Sequence, residues 1–488
     1  LYLAGTQHPA THRVQSRVQR SSFAALSLGL AALLAGCGAN YRPVVSAINP
    51  VGPAGQPTKY AVAVSSPNSS SLGLLTVVDF SGDTVLSTPQ ILSNPSYFVL
   101  NSSGQQGYTI NAQGSLDTFN LANPAALITS QVVQTTLPAD SLPVSLTTIT
   151  PASGISTIFV PQQASNSIAA LNSATASLYD DISVGNGGSN PVYVVGANGT
   201  LRVYAISQNA AGSNGQVDAL ESTSTLQLSI SKTIPVGVKP VYGVMTSDDR
   251  RAFILNQGSG TVSVLNVPSN ALDTTPTIAL CSAPSTTGTP CPNVNPVWAD
   301  LAPAVSELVV LNQGDKVHSG SLSIIQIPLC NAIAQPTNPN CDSSNPVDAV
   351  GFGQIVGTAT VGIDPTMVSV LQDTTTGDYR AYVINQLDGT GTCAAGEGSV
   401  SVVSLASGQV TTICGVSSAA ATVSATTTPG LIYGHPNSVS ATAASPTGKV
   451  YVTSQDNNFM SIIYTDTDTV QGHVNLQGTG LRVLVTQP

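Results

Sequence analysis

Charge is what this 488-residue sequence has least of. Only 8% of its residues are charged, and 14 basic side chains stand against 24 acidic ones, for a formal net charge of −10. Nucleic-acid binding needs clustered Lys and Arg against the phosphates, so that class of partner is excluded. Glutamate occurs only at 221, 307 and 397, and beyond residue 37 histidine occurs only at 318, 435 and 473. No zinc-protease helix, phosphate-binding glycine loop, nucleophile elbow or calcium loop can be traced, so neither a metal nor a cofactor is expected. Tryptophan occurs once, as Trp298 in "VWAD", and reads as a packed strand residue. Long apolar runs are missing too. Phe23 to Leu34 is the best of them, about a dozen residues and too short to span a bilayer comfortably.

Small, β-branched and alternating residues are plentiful instead. Low charge combined with a period-2 apolar pattern points to half-buried strands rather than helices or disorder. The N-terminal segment is different. Arg13, Arg17 and Arg20 are the only charged residues before Cys37, and they precede the apolar stretch and then "LAGC" at 34–37. A basic region, a short apolar core and small residues before a cleavage point are the marks of an export signal. "LAGC" itself resembles the bacterial lipobox, which implies a signal peptide over 1–36, lipidation of Cys37 and anchoring in the cell envelope by several acyl chains. Gly38 stands where that family's inner-membrane retention signal usually has Asp, so the outer membrane is the expected destination. Residues 37–58, with four prolines, read as a tether leading to a folded region over 59–488.

Six further cysteines, Cys281, Cys291, Cys330, Cys341, Cys393 and Cys414, fall into three local pairs by proximity. In an exported chain such a set is expected to form disulfides closing surface loops. There is no Cys-x-x-Cys and no interleaved His to favour zinc.

A period runs through the rest. Phased segments start "NPSYFVL" (94), "LPVSLTTIT" (142), "NPVYVVG" (190), "KPVYGVMTS" (239), "NPVWADLAP" (295), "DPTMVSVL" (364) and "HPNSVSATAASP" (435). Their prolines lie about 48 residues apart at first and about 70 apart later, where the cysteines or the "SSAAATVSATTTPG" insertion fall. Each unit carries four short strand signals, the arrangement of a β-propeller blade, which must stack on its neighbours to bury both faces. Residues 60–92 read as a blade without its first strand, and "GLRVLVTQP" from Gly480 reads as that missing strand. Joined, they close the ring with no free edge. The fold expected is all-β, a single propeller of four-stranded antiparallel blades. Eight blades are favoured, with seven the alternative if one unit between 143 and 239 is misread.

In phase, "RAFILNQGSGTVSVLNV" (251–267), "AYVINQ" (381–386) with "GSVSVVSL" (398–405), and "KVYVTSQDNNFMSIIYTDTDTV" (449–470) resemble the YVTN-type β-propeller repeat. "TIPVGVKP" (233–240) and "ATVGIDP" (359–365) match the junctions between its units. The resemblance is strongest over 230–475 and implies the same fold.

Function is the less constrained question. The repeated "NQ" at Asn256–Gln257, Asn312–Gln313 and Asn385–Gln386 ends a strand, where Asn serves turn geometry well. Lying on the face of the unit junctions, the same groups could also ring a protein or carbohydrate ligand. Asp364 and His435, before junction prolines, could join them, although X-Pro also sets an extended entry to the strand. Three readings remain: a non-catalytic, monomeric, envelope-anchored binding or scaffold module; a propeller lactonase drawing on His435, Asp364 and Arg202; and a subunit of an envelope assembly contacting partners through the loops 281–291, 330–341 and 393–414. Fold alone does not choose among them.

Overall fold

Four-stranded antiparallel sheets follow one another along the described residues, which hold no α-helix. The computed structural model describes residues 59–486 apart from 151–154, 197, 200–201, 223–226, 282–293, 330–348, 375, 417–429 and 445–446. Cys37, the signal and tether over 1–58, and Cys291, Cys330 and Cys341 lie outside the described residues.

Strands within a blade are called A to D from the first. Blade 1 spans 95–136, blade 2 147–183, blade 3 191–238, blade 4 240–279, blade 5 296–363, blade 6 363–416 and blade 7 436–475. Blades 5 and 6 share one long strand, Ile355–Gln372, which pairs first with Ser319–Gln326 and then with Tyr379–Leu387. Blade 8 takes Thr479–Val485 as its A strand, followed by Tyr60–Ser66, Leu72–Asp79 and the short outer strands Val85–Ser87 and Gln90–Ser93. The A strands touch one another in order, and Thr479–Val485 touches both Pro436–Thr442 and Pro95–Leu100. The ring is closed, with eight blades and the composite one where the termini meet.

The packing follows from period 2. Every residue of Arg251–Asn256 is buried, because one face of the strand meets the previous blade and the other meets the next. Ala252 and Ile254 pack with blade 3, while Phe253 and Leu255 pack with blade 5. Each of the eight apolar clusters is likewise shared between two adjacent blades. There is no separate core for a single blade, so stability is built at the interfaces.

Polar staples repeat at the same interfaces. A cation that opens a B strand reaches the carbonyl following the C strand of the next blade. Arg202 donates to the Val267 carbonyl at 2.6 Å, Arg380 to that of Thr465 at 2.8 Å, and Lys449 to that of Phe80 at 2.6 Å. Arg380 also pairs with Asp373 and Asp468, and Lys449 with Asp83. Some of the scarce charges of this chain therefore sit between blades.

One sequence expectation is corrected here. At six of the seven junctions the residue before the proline does not enter in extended conformation. Asn94, Leu142, Asn190, Lys239, Asn295 and Asp364 all have φ between 46° and 59°. The chain must turn sharply from an outer strand to the next inner one, and the left-handed conformation makes that turn in a single residue. Asn and Asp tolerate it best, which is why they recur at the position.

Candidate functional site

The junction face can be built from its backbone outward. In five blades the residue after the B strand is Gln, and its N–H donates to the carbonyl of the residue before the junction proline, left-handed in four of the five. The pairs are Gln163 with Leu142, Gln208 with Asn190, Gln257 with Lys239, Gln313 with Asn295, and Gln455 with His435, at 2.9–3.0 Å. In the three Asn-Gln pairs the Asn turns inward. Asn256, Asn312 and Asn385 are at most 1% exposed, and each side-chain amide donates to two hydroxyls at the start of the C strand. Asn256 reaches Thr261 and Ser263, Asn312 reaches Ser321 and Ser323, and Asn385 reaches Ser399 and Ser401. Each thus ties two strands within its own blade.

The glutamine side chains run around the ring instead. Gln313 donates to Asp364 at 2.7 Å, Gln386 to the Pro436 carbonyl at 2.6 Å, and Gln455 to Gln386 at 2.8 Å. Asp364 also lies 3.5 Å from Lys316, and His435 Nδ1 lies 2.7 Å from Asp456, a residue the sequence did not single out. Gln313 and Asp364 are brought together, as are Gln386 and the backbone beside His435. The buried Asn residues are not brought together. Arg202 opens a B strand, at the end opposite the "NQ" loops, and pairs with Glu221 at 2.7 Å. Among the described residues no three metal-binding side chains cluster.

The central channel holds a second set of groups. In blades 1, 3, 4, 5, 6 and 7 the ladder between A and B strands slips between the junction proline and the residue two beyond it, and blade 8 slips likewise between Gly480 and Arg482. A bulge of this kind leaves one residue unpaired and re-aims its neighbour. The inserted residues include Ser96, Thr366 and Asn437. The re-aimed ones include Tyr97, Tyr193, Tyr242, Trp298 and Arg482. Thr366, Asn437, Trp298 and Arg482 line a cavity of about 130 Å³ together with Ser96, Met367, Ser438 and Leu481.

Aromatic rings form an arc around it. Tyr193 and Tyr242 have centroids 4.8 Å apart, Tyr242 stacks on Trp298 at 4.3 Å, and the Arg482 guanidinium lies 4.2 Å from the Tyr97 centroid and 5.4 Å from that of Trp298. Such stacking holds a planar cation in place. Burial pushes the phenols of Tyr193 and Tyr242 well up, so both stay neutral donors. Burial also raises Asp300, on the same strand as Trp298, to about 6, although the N–H groups of Val370 and Leu301 oppose this from 2.7 and 2.8 Å. Arg482 has no ion-pair partner among the described residues. Its Nε and the Thr366 hydroxyl are buried without a hydrogen bond.

This arc has a signal in the sequence that the repeat pattern alone does not single out. An aromatic residue recurs two positions after the junction proline, in "NPSY", "NPVY", "KPVY" and "NPVW". Arg482 was harder to find, because its strand begins with Gly480 instead of proline.

No family model matches the chain, and no curated protein is similar to it at a significant level. Solved structures are similar in shape. The dihydro-haem d1 dehydrogenase NirN, in complex with DHE, superposes with a TM-score of 0.56 at 12% identity, over 89% of this chain and 78% of that one. The chain has the β-propeller fold. A putative 6-phosphogluconolactonase from Bacteroides fragilis gives a TM-score of 0.47 at 12% identity, over 89% of this propeller and 99% of the other chain. The periplasmic gluconolactonase PpgL of Pseudomonas aeruginosa gives 0.45 at 17%, over 72% and 95%. At these identities the likeness extends to the fold only.

Proposed function

We propose that the chain is an exported, lipid-anchored binding propeller whose ligand enters the central channel and leaves chemically unchanged. The observation that carries this reading is Arg482, a single guanidinium set among aromatic faces and neutral hydroxyls with no ion-pair partner among the described residues. Such a site can hold an anion. General acid–base hydrolysis needs a carboxylate or imidazole in hydrogen-bond reach of the reacting atoms. Asp300 spends its oxygens on two backbone N–H groups, and His435 is paired with Asp456. Export is supported by the "LAGC" segment and by the Cys393–Cys414 disulfide, a bond that persists in oxidising compartments. The phased resemblance to the YVTN-type repeat agrees with a scaffold that presents a site on a ring.

Two measurements test the reading. Cells grown with an alkyne fatty acid should label the protein, and Cys37→Ser should abolish the label. Purified protein given a panel of small lactones should show no turnover above buffer. Turnover that disappears in Arg482→Met would establish a hydrolase in its place.

A further inference from the structure

We infer that the central cavity recognises a small hydroxy acid, its one carboxylate on Arg482 and its hydroxyl on Thr366. This rests on the binding reading above and gives it a ligand class.

Tyr97 and Trp298 lie against the Arg482 guanidinium at 4.2 and 5.4 Å from their centroids, and it also hydrogen-bonds the Tyr97 side chain, so what remains for a ligand is the part of its in-plane N–H edge that Tyr97 does not take. Nε on that edge has no hydrogen-bond partner. Arg does not deprotonate in proteins, so the charge persists whether or not a ligand is bound. Arg482 is half-buried with its Nε shut off from solvent, and a cation so placed without an anion is costly and is tolerated where a ligand supplies one. The planar fork matches a carboxylate in two-point contact.

Charge and size narrow the class. Arg482 is the only cation lining the cavity, so a monoanion balances it, whereas a phosphate dianion would leave one charge uncompensated. The volume of about 130 Å³ is the share of roughly four waters, room for a handful of heavy atoms. The other polar lining groups are already engaged. Asn437 donates to the Gly480 carbonyl and accepts from Thr453, and the Ser438 hydroxyl accepts from the Val483 N–H. Thr366 is the exception, its hydroxyl buried with no partner. A ligand that fills both vacancies carries a carboxylate and a hydroxyl a few bonds apart.

The test is calorimetric titration of the full chain with lactate, acetate, methyl lactate and inorganic phosphate, alongside thermal unfolding. Lactate should bind, the neutral ester should not, and phosphate should bind at least about tenfold more weakly than lactate. Arg482→Met should abolish lactate binding and leave the unfolding midpoint equal or higher, since it removes a half-buried charge that no anion balances. Arg482→Lys, which keeps the charge and loses the fork, should bind weakly. Thr366→Val should weaken lactate about fivefold or more and leave acetate unchanged. If neither lactate nor acetate binds, or if Arg482→Met binds lactate as well as the parent, the inference is overturned. A lower midpoint in Arg482→Met would assign the guanidinium a structural role and overturn it too. Should Arg482→Met fail to fold, the lactate-to-acetate contrast in Thr366→Val decides alone. Lactone turnover with lactate binding intact would remove the non-catalytic reading and leave the carboxylate site standing. Binding of a neutral sugar with no carboxylate binding would do the reverse.

Discussion

Among single residues, the buried charges decide most. Arg251 and Asp273 pair with about 1% of each side chain exposed, and Arg251 also sits 6.0 Å from the Phe352 centroid in an apolar interface. Removing one partner strands the other, so Asp273→Leu should lower the unfolding free energy by about 3–5 kcal/mol, and the double variant Arg251→Met/Asp273→Leu should recover most of it. Denaturant titration of the three proteins measures the difference. Asp117 behaves otherwise. It is 2% exposed, one oxygen accepts the Leu92 N–H at 2.6 Å, the other has no partner, and burial raises its pKa to about 6. The folded state therefore binds more protons than the unfolded one between about pH 4 and 6, and stability falls as pH rises through that window. Asp300 adds to the same trend. Asp388 opposes it, because hydrogen bonds from Thr390 and the N–H groups of Cys393 and Thr392 outweigh burial and hold its pKa down. Asp117→Asn keeps the acceptor for Leu92 and drops the charge. It should gain about 1–2 kcal/mol at pH 7.5 and nothing near pH 4.5 in unfolding titrations.

Within a single blade, the "NQ" repeat divides into two parts with different duties. The Asn is a clip, and its amide bonds to hydroxyls on the next strand are made in full burial. Asn385→Ala should cost about 1–3 kcal/mol, because Ser399 and Ser401 lose their shared partner inside the interface. Gln386→Ala, at a half-buried position, should change stability by less than about 0.5 kcal/mol. Thermal unfolding of the two single variants separates the roles. These elements also show what the sequence could and could not disclose. Strand order and ring closure were legible because period 2 and the repeated prolines impose them in every unit. The left-handed junctions were not, since the residue before proline is ordinarily extended and only the sharp outer-to-inner turn overrides that. The aromatic arc was written in the sequence as "P-V-Y" and "P-V-W", but a bulge, which no alternating pattern encodes, is what turns those rings to the channel. Arg482 carries no repeat signal at all. Its place became visible only when the last strand was seen to complete blade 8.

For the whole molecule, that completion is the feature on which the other interfaces depend. Every apolar cluster spans two blades, so an open ring would leave two interfaces half built. Thr479–Val485 pairs with Tyr60–Ser66 and contributes Val483 and Val485 to the cluster between blades 7 and 8. It also supplies Arg482 to the cavity, and Val483 N–H and Val485 N–H reach Ser438 and Ser440 of the neighbouring inner strand. Deleting residues 479–488 would expose the edge of Tyr60–Ser66, an almost fully buried strand of Ala and Val, as a template for pairing between chains. The truncated protein should lose its single cooperative transition and form concentration-dependent aggregates, followed by calorimetry and light scattering. A synthetic peptide covering 478–488 added in trans should suppress the aggregation, because the strand it replaces is joined to the ring only through the Asn475–Thr479 connection and its lateral contacts. A peptide with Val483 and Val485 changed to Ser should not. If the truncated chain instead unfolded with the parent's midpoint and stayed monomeric, the termini would not be what closes this propeller.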